Sequence, residues 1–190
     1  LFHAYSGFPA ESLLLLFPAP GAPELASRSA QLLNDMVIEA RLDELRGFDH
    51  GVYVPLKMIY PHARIPCVQV SLVRGLDPQR HIRIGEALSE LRQQNVLVIG
   101  SGFSFHNMRA FTFRGEAEPD PMNAGFEDWL LETCTRRELP EPERRHRLVG
   151  WEDAPHARYC HPREEHLLPL HVCYGVAGTA GRRVFNGTVL

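Results

Sequence analysis

The stretch "IPCVQVSLVRGLDPQRHIRIGEALSELRQQNVLVIGSG", residues 65–102, decides the predicted fold class. Its two ends, 65–72 and 95–102, are short apolar runs rich in β-branched residues, which is typical of strands covered on both faces. Between them, Asp77 and Pro78 form an N-cap and first-turn pair that predicts a helix to about Gln94. Strand, helix and strand in that order predict a right-handed parallel crossover. We therefore expect an α/β fold, with a central, mostly parallel sheet flanked by helices.

The segments on either side supply further elements. Apolar spacing predicts helices over 24–36 and 123–138, and a short helix within "VYVPLKMIYP" that Pro61 stops. A last main helix is expected to begin at Pro162, and "RRVFNGTVL" at 182–190 to be a strand. Residues 140–160 are charged and irregular, and their run "EPERRHR" is interpreted as a solvated face.

Length and composition predict one soluble domain over residues 1–190. The chain is 44% hydrophobic and 23% charged, values that are ordinary for a globular protein. It begins at Leu1 rather than Met and ends at Leu190 inside a strand-like run, so we expect it to be incomplete at both ends.

Charge, hydropathy and cysteine spacing limit the partners and the compartment. A net charge of -3 provides no basic field for nucleic acid. The longest apolar runs are too short to span a bilayer, so no membrane partner is expected. The four cysteines are scattered without a C-x-x-C pair, which favours the reducing cytoplasm.

Two histidines lie in turns that could carry chemistry. His106, in "SGFSFHN", follows the end of the second predicted strand, where ligands gather in open α/β sheets. His50, in "GFDHG", is followed by a glycine and preceded by an aspartate, so another group could approach its imidazole closely. Both could instead be turn histidines that satisfy backbone groups, and the residues alone leave this open.

A third candidate locus is "HPREEHLLPLHV" at 161–172. Glu165 and His166 fall in the first turn of the predicted last helix, where the helix dipole favours a carboxylate and a neutral imidazole. The neutral imidazole is the form that binds metal. His171 lies about 140° further around such a helix and cannot share their face. His161 and Glu164 are interpreted as helix-capping residues.

Taken together, "GFP" at 7–9, "FPAPGAPELA" at 17–26, "GFDHG", "YPHARIPCVQVSL" at 60–72, "GSGFSFHN" at 100–107 and "HPREEHLLPL" at 161–170 resemble the class III extradiol ring-cleavage dioxygenases, and within them the 4,5-DOPA extradiol dioxygenase type. The resemblance implies an α/β domain that holds a non-haem divalent metal, Fe(II) first and Zn(II) second. It also implies cleavage of a catechol ring by O2, with the catechol and O2 as the partners.

The resemblance implies a role for each candidate residue. His50 would contact substrate or oxygen, and His106 would act as acid/base and as a metal ligand. Glu165 and His166 would be further metal ligands, with His166 the ligand in the DOPA branch and a glutamate in other branches. The loop that carries His3, Tyr5 and Phe8 resembles the substrate-side segment of the family. The particular catechol, the metal and the oligomeric state stay open.

Two motifs of the family are not in the sequence. A His-Gly-Ser-Pro turn and a Ser-Ala-His motif each provide a metal-binding histidine in the family, and neither occurs in residues 1–190. Their absence keeps a second hypothesis open, that of a non-catalytic homologue that acts as a binding protein. A metal-dependent hydrolase that uses the same histidines is the third hypothesis.

Overall fold

The computed structural model describes residues 17–111, 119–185 and 187. The chain divides into two compact units between Ser71 and Leu72. A single domain over 1–190 stays a prediction. The α-helices of the described residues are α1 (Pro23–Asp35), α2 (His50–Ile59), α3 (Pro78–Leu88), α4 (Pro121–Thr135), α5 (Glu141–Val149), α6 (Ala157–Cys160) and α7 (Leu168–Ala177), with 3-10 helices at Ser89–Gln94 and Trp151–Asp153.

The first unit holds α1 and α2. A proline begins α1, because its fixed backbone angle suits the first helical turn, and the helix buries Leu32 and Leu33. Helix α2 follows Asp49, whose backbone is extended, and contains Pro55 without burying any residue. Both helices were predicted from the sequence, and the structure confirms them.

In the second unit, α3 and α7 cross at two glycines. A side chain added at Gly85 would overlap the carbonyl oxygen of Val172, and one added at Gly175 would overlap that of Ile82. The Asp77 side chain accepts a hydrogen bond from the Arg80 amide at 3.0 Å, so the predicted N-cap and beginning of the helix are confirmed. The α-helix ends at Leu88 rather than near Gln94, because residues 89–94 continue it as a 3-10 helix. This 3-10 helix ends at Gln94 and is capped by Asn95, whose φ of 56° is left-handed.

Helices α4 and α5 are joined through a buried arginine. Arg144 has no exposed surface, and its guanidinium donates to the carbonyl oxygens of Thr133, Arg136 and Leu139 and to the Glu141 carboxylate. The expectation that residues 140–160 are irregular is wrong, since α5 and α6 lie within them. The interpretation of "EPERRHR" as a solvated face is wrong for Arg144, whereas Pro142, Glu143 and His146 are exposed. The carbonyl groups at the end of α4 lack helical partners, and this arginine satisfies them.

The predicted central sheet is also wrong, since none of the described residues lies in a strand. Their single β-type pairing is an isolated parallel bridge between Gly21 and Cys67. A strand needs a neighbouring backbone to accept and donate its ladder hydrogen bonds, and an apolar run alone does not provide one. Residues 95–102 leave Leu97 70% exposed and Ile99 47% exposed, so the run is not covered on both faces as expected.

The last main helix begins later than expected. It starts at Leu168 rather than at Pro162, with Pro169 in its first turn, where the missing N–H costs no hydrogen bond. Before it, the amides of Leu167 and Leu168 both donate to the carbonyl oxygen of Glu164, which forms a turn. Residues 182–185 and 187 do not form the predicted terminal strand, and 186 and 188–190 lie outside the described residues.

Among the described residues, no helix combines the length and hydropathy that crossing a membrane requires.

Candidate metal centre

His106, Glu165 and His166 form a cluster in the second unit. One possible ligand atom from each side chain lies within 4.8 Å of the others, and all three residues are half-buried. The imidazole rings of His106 and His166 are stacked, with centroids 3.4 Å apart and an interplanar angle of 18°. The sequence predicted these three residues as metal ligands, and the structure brings them together.

The cluster forms because residues 103–107 lie along residues 159–166. Hydrogen bonds of 2.9 to 3.0 Å join the two segments at successive positions. They run from Phe103 N to the His166 carbonyl, from His161 Nε2 to the Ser104 carbonyl, from His106 N to the Cys160 carbonyl and from Asn107 Nδ2 to the Tyr159 carbonyl. Hydrogen bonds at residue 106 itself and on both sides of it therefore fix the position of the His106 backbone, from which the imidazole projects.

Two glycines allow this close approach. A Cβ atom added at Gly102 would overlap the carbonyl oxygen of His166, and one added at Gly100 would lie 2.6 Å from Cys173 Sγ and from the Pro169 carbonyl oxygen. Neither glycine has a positive φ. They are needed for space rather than for an unusual backbone conformation.

The Glu165 carboxylate has weak local partners. Its Oε2 atom is buried without a hydrogen bond and lies 3.4 Å from Nε of the exposed Arg163, while Oε1 lies 3.9 Å from His166 Nδ1. The neighbouring Glu164 instead pairs with Arg158 at 2.7 Å. A buried carboxylate oxygen costs free energy unless something binds it. A divalent cation would bind that oxygen, so the donor set fits a metal.

The chemical types in the cluster limit the metal. Two imidazoles and one carboxylate are the ligand set of many non-haem Fe(II) sites, and imidazole and carboxylate also suit Zn(II). The donor set therefore fits either cation and excludes a site built for Mg²⁺ or Ca²⁺, which prefer oxygen ligands.

His50 lies in the first unit as the first residue of α2. The preceding Asp49 is held by Gln69 through two hydrogen bonds: its amide donates to Gln69 Oε1 and its Oδ2 accepts from Gln69 Nε2, both at 2.9 Å. The turn that begins α2 is thus fixed from outside the helix. A catalytic role for His50 stays a prediction. The predicted substrate residues His3, Tyr5 and Phe8 lie outside the described residues.

Sequence reasoning missed two features beside the cluster. His161 was interpreted as a helix cap, but it is completely buried and bonds to the segment that carries His106. The ring of Phe105 contacts those of Phe111 and Tyr159, with ring centroids 5.5 and 6.0 Å away. The Tyr159 hydroxyl donates to Asp120 at 2.7 Å, which raises the pKa of Tyr159 and keeps it protonated.

The sequence also matches a known family. The catalytic LigB subunit of aromatic ring-opening dioxygenase matches residues 8–188. The chain belongs to this family. The resemblance stated from the sequence motifs is therefore confirmed.

Relatives of this LigB-family chain carry related names. "Dioxygenase tasH" of Hapsidospora irregularis is 37% identical over 93% of the chain and 57% of its own length. "4,5-DOPA dioxygenase extradiol" of Beta vulgaris is 37% identical over 92% of the chain and 63% of its own length. A crystal structure of an uncharacterised Escherichia coli K12 protein superposes with a TM-score of 0.77 at 34% identity, covering 85% of this chain and 65% of that one. The chain thus spans less than two thirds of these relatives.

Proposed function

We propose that this protein is a non-haem, metal-dependent extradiol dioxygenase that opens the aromatic ring of a small catechol with O2. The observation that carries the proposal is the cluster of His106, Glu165 and His166 in a chain of the ring-opening dioxygenase family. The names of its relatives support an extradiol reaction and a DOPA-like substrate. Fe(II) is the proposed metal, with Zn(II) as the alternative.

The three side chains of the cluster have different roles in this proposal. Glu165 and His166 would hold the metal, and bound Fe(II) would supply an open coordination sphere that brings a catecholate and O2 together. His106, whose ring stacks on that of His166, would accept a proton at a ring nitrogen from one catechol hydroxyl and return it later. A proton acceptor whose ordinary pKa lies near neutrality suits both transfers.

Residues outside the cluster complete the proposal. His50 would contact the substrate or oxygen, and the loop with His3, Tyr5 and Phe8 would form the substrate side of the site. Both assignments rest on the sequence motifs and the family resemblance.

The test is O2 consumption by the protein, expressed from its complete coding sequence and loaded with Fe(II), Zn(II) or no metal, with a series of catechols. We expect O2 uptake and a ring-opened product only with Fe(II). His106→Ala and His50→Ala should each lower kcat by about 100-fold or more, the scale of losing a positioned acid or base. His146→Ala, an exposed histidine of α5, is the control and should keep wild-type rates.

Metal content separates the two uses of His106. If this imidazole is only the acid/base, His106→Ala keeps stoichiometric iron while Glu165→Ala and His166→Ala lose it. If it is also a ligand, all three variants lose iron. Wild-type rates in both His106→Ala and His50→Ala would contradict the dioxygenase assignment. Ester or amide turnover without O2 uptake would instead assign the metal-dependent hydrolase.

A further inference from the structure

His161 occupies a position where an apolar residue would be expected. It has no exposed surface, and the centroid of its ring lies 5.4 Å from that of Phe126 and 6.1 Å from that of Trp151, to which it is nearly perpendicular. Its Nδ1 atom is buried and has no hydrogen-bond partner among the described residues. A leucine would fill such a space without leaving a polar atom unsatisfied. Packing alone therefore does not explain the histidine.

The hydrogen bond of the other ring nitrogen, Nε2, explains why a histidine occupies this position. His161 Nε2 lies 2.9 Å from the carbonyl oxygen of Ser104. A carbonyl oxygen only accepts, so Nε2 carries the proton and donates it, which fixes the tautomer. Burial lowers the pKa of His161, so the ring stays neutral with this single N–H.

Ser104 is two residues before His106, and its bond lies between two backbone bonds. On one side the Phe103 amide donates to the His166 carbonyl at 3.0 Å, and on the other the His106 amide donates to the Cys160 carbonyl at 2.9 Å. The His161 ring therefore supplies the middle of three consecutive attachments of the segment 103–106. Without it, the partly buried Ser104 carbonyl would lose its acceptor bond to this ring.

We propose that His161 is a positioning residue: its Nε2–H holds the Ser104 carbonyl and thereby keeps His106 against His166 in the metal cluster. The role of the cluster rests on the proposed function, whereas the position of His106 does not. Residues that orient a metal ligand without touching the metal change affinity or activity by about tenfold to 100-fold when they are replaced.

The chain provides a matched control in His171. It also has no exposed surface and donates from Nε2 to a backbone carbonyl, that of Leu148 at 2.8 Å. Leu148 lies at the end of α5 rather than in the segment 103–106. His171 Nδ1 also lies 3.4 Å from the Leu167 carbonyl oxygen, but a neutral ring has one N–H, and the shorter contact to Leu148 takes it. Replacing either histidine therefore removes one buried N–H donor to a carbonyl, but only His161 is bonded to the segment 103–106.

The experiment compares His161→Leu, His161→Gln and His161→Asn with His171→Leu. The glutamine amide nitrogen reaches about as far from Cα as Nε2, whereas that of asparagine reaches only as far as Nδ1, so glutamine should restore the bond and asparagine should not. Three quantities are measured: hydrogen exchange at the His106 amide, the affinity for Zn(II) by chelator competition, and kcat and KM of the Fe(II) enzyme.

We expect His161→Leu and His161→Asn to speed exchange at the His106 amide by about tenfold or more and to weaken Zn(II) binding by about tenfold to 100-fold. The value of kcat should fall more than KM changes, and His161→Gln should recover most of each loss. His171→Leu should lower the melting temperature with no change in Zn(II) affinity. If His161→Leu does not fold, the glutamine and asparagine variants decide.

Equal Zn(II) affinity and His106 exchange in the His161 and His171 variants would overturn the proposal, as would equal behaviour of His161→Gln and His161→Asn. Failure of the proposed function is separate. If the wild-type protein cleaves no catechol, or binds no Zn(II), exchange at the His106 amide still supports or contradicts the positioning role of His161.

Discussion

Two glycine-dependent contacts in the second unit differ in what holds them together. In the helix crossing, α3 and α7 meet at Gly85 and Gly175. In the site contact, residues 100–107 lie along 159–169, with Gly102 against the His166 carbonyl. Helices satisfy their own backbone groups, so the helix crossing depends on side-chain and backbone packing. The segment 100–107 has no such internal bonds, so the site contact depends on hydrogen bonds to its neighbour.

The difference predicts that stability and site geometry can be damaged separately. Widening the helix crossing opens a large apolar contact and lowers the free energy of unfolding. Disturbing the site contact weakens only a few hydrogen bonds and so changes the free energy of unfolding less. These bonds, however, position His106 relative to Glu165 and His166. Variants of the helix crossing should therefore mainly lower the free energy of unfolding, whereas variants of the site contact should mainly lower the affinity for metal.

The largest effect on stability is expected for Gly85→Ala. The new methyl group would overlap the Val172 carbonyl and force α3 and α7 apart, which should lower the free energy of unfolding by about 3 kcal/mol. Urea denaturation measures this loss of unfolding free energy.

Gly125→Ala in α4 is the matched helical control, because the atom nearest to its new methyl group, His156 Cδ2, would lie at an ordinary 3.4 Å. The control should be neutral or stabilising by up to about 1 kcal/mol. Equal stability of the two variants would disprove the tight crossing.

Gly102→Ala should affect stability less and metal binding more. Its methyl group would displace the His166 carbonyl and weaken the bond from the Phe103 amide. We expect a loss of about 1 to 2 kcal/mol in the free energy of unfolding and about a tenfold loss in Zn(II) affinity.

Gly181→Ala is the control for this position, since its nearest atom would be the Cys134 carbonyl oxygen at 3.6 Å. It should bind Zn(II) as the wild type does. A Gly102→Ala variant that lost stability but kept Zn(II) affinity would show that the site contact does not set the geometry of the cluster.

The helices could be predicted because their signals are local. Asp77 and Pro78 mark the beginning of α3 within two residues, and Pro23 marks that of α1. Whether the apolar runs form a sheet could not be predicted from local signals. A strand is defined by a partner backbone elsewhere in the chain, and the apolar run at 95–102 contains no information on whether such a partner is present.

The candidate site was predicted in part for the same reason. His106, Glu165 and His166 stand out by residue type within short motifs, so the sequence could nominate them. His161 could not be recognised, because the carbonyl that it binds is 57 residues away. Arg144 had no signal either, since a charged run is usually solvated, and only the folded chain shows its guanidinium against the end of α4.

Acid should destabilise both the beginning of α3 and the site contact, and its effect through a single residue should be smaller than that of Gly85→Ala or Gly102→Ala. His81 in α3 is fully buried; its Nδ1–H donates to the Asp77 carbonyl at 2.7 Å and its Nε2 accepts from the Val73 amide at 3.1 Å. Protonation of Nε2 would break the second bond. Burial is the main cause that lowers the pKa of His81, and the pKa of His161 at the site contact is lowered for the same reason.

A lowered folded pKa fixes the sign of the pH dependence. The unfolded chain binds these protons near pH 6.5 and the folded chain only at lower pH, so stability is fully present above about pH 6.5 and is lost as the pH falls toward the folded pKa. Each such histidine adds a slope of up to about 1.4 kcal/mol per pH unit to the unfolding free energy.

Urea denaturation at pH 7.5, 6.5 and 5.5 should therefore show that the unfolding free energy falls less steeply with acid in His81→Gln than in the wild type. Because His81 lies in α3 and makes no hydrogen bond to the site contact, Zn(II) affinity at pH 7.5 should not change. An unchanged slope would mean that the unfolding free energy does not depend on His81 being neutral, and a changed affinity would mean that the two contacts are not independent.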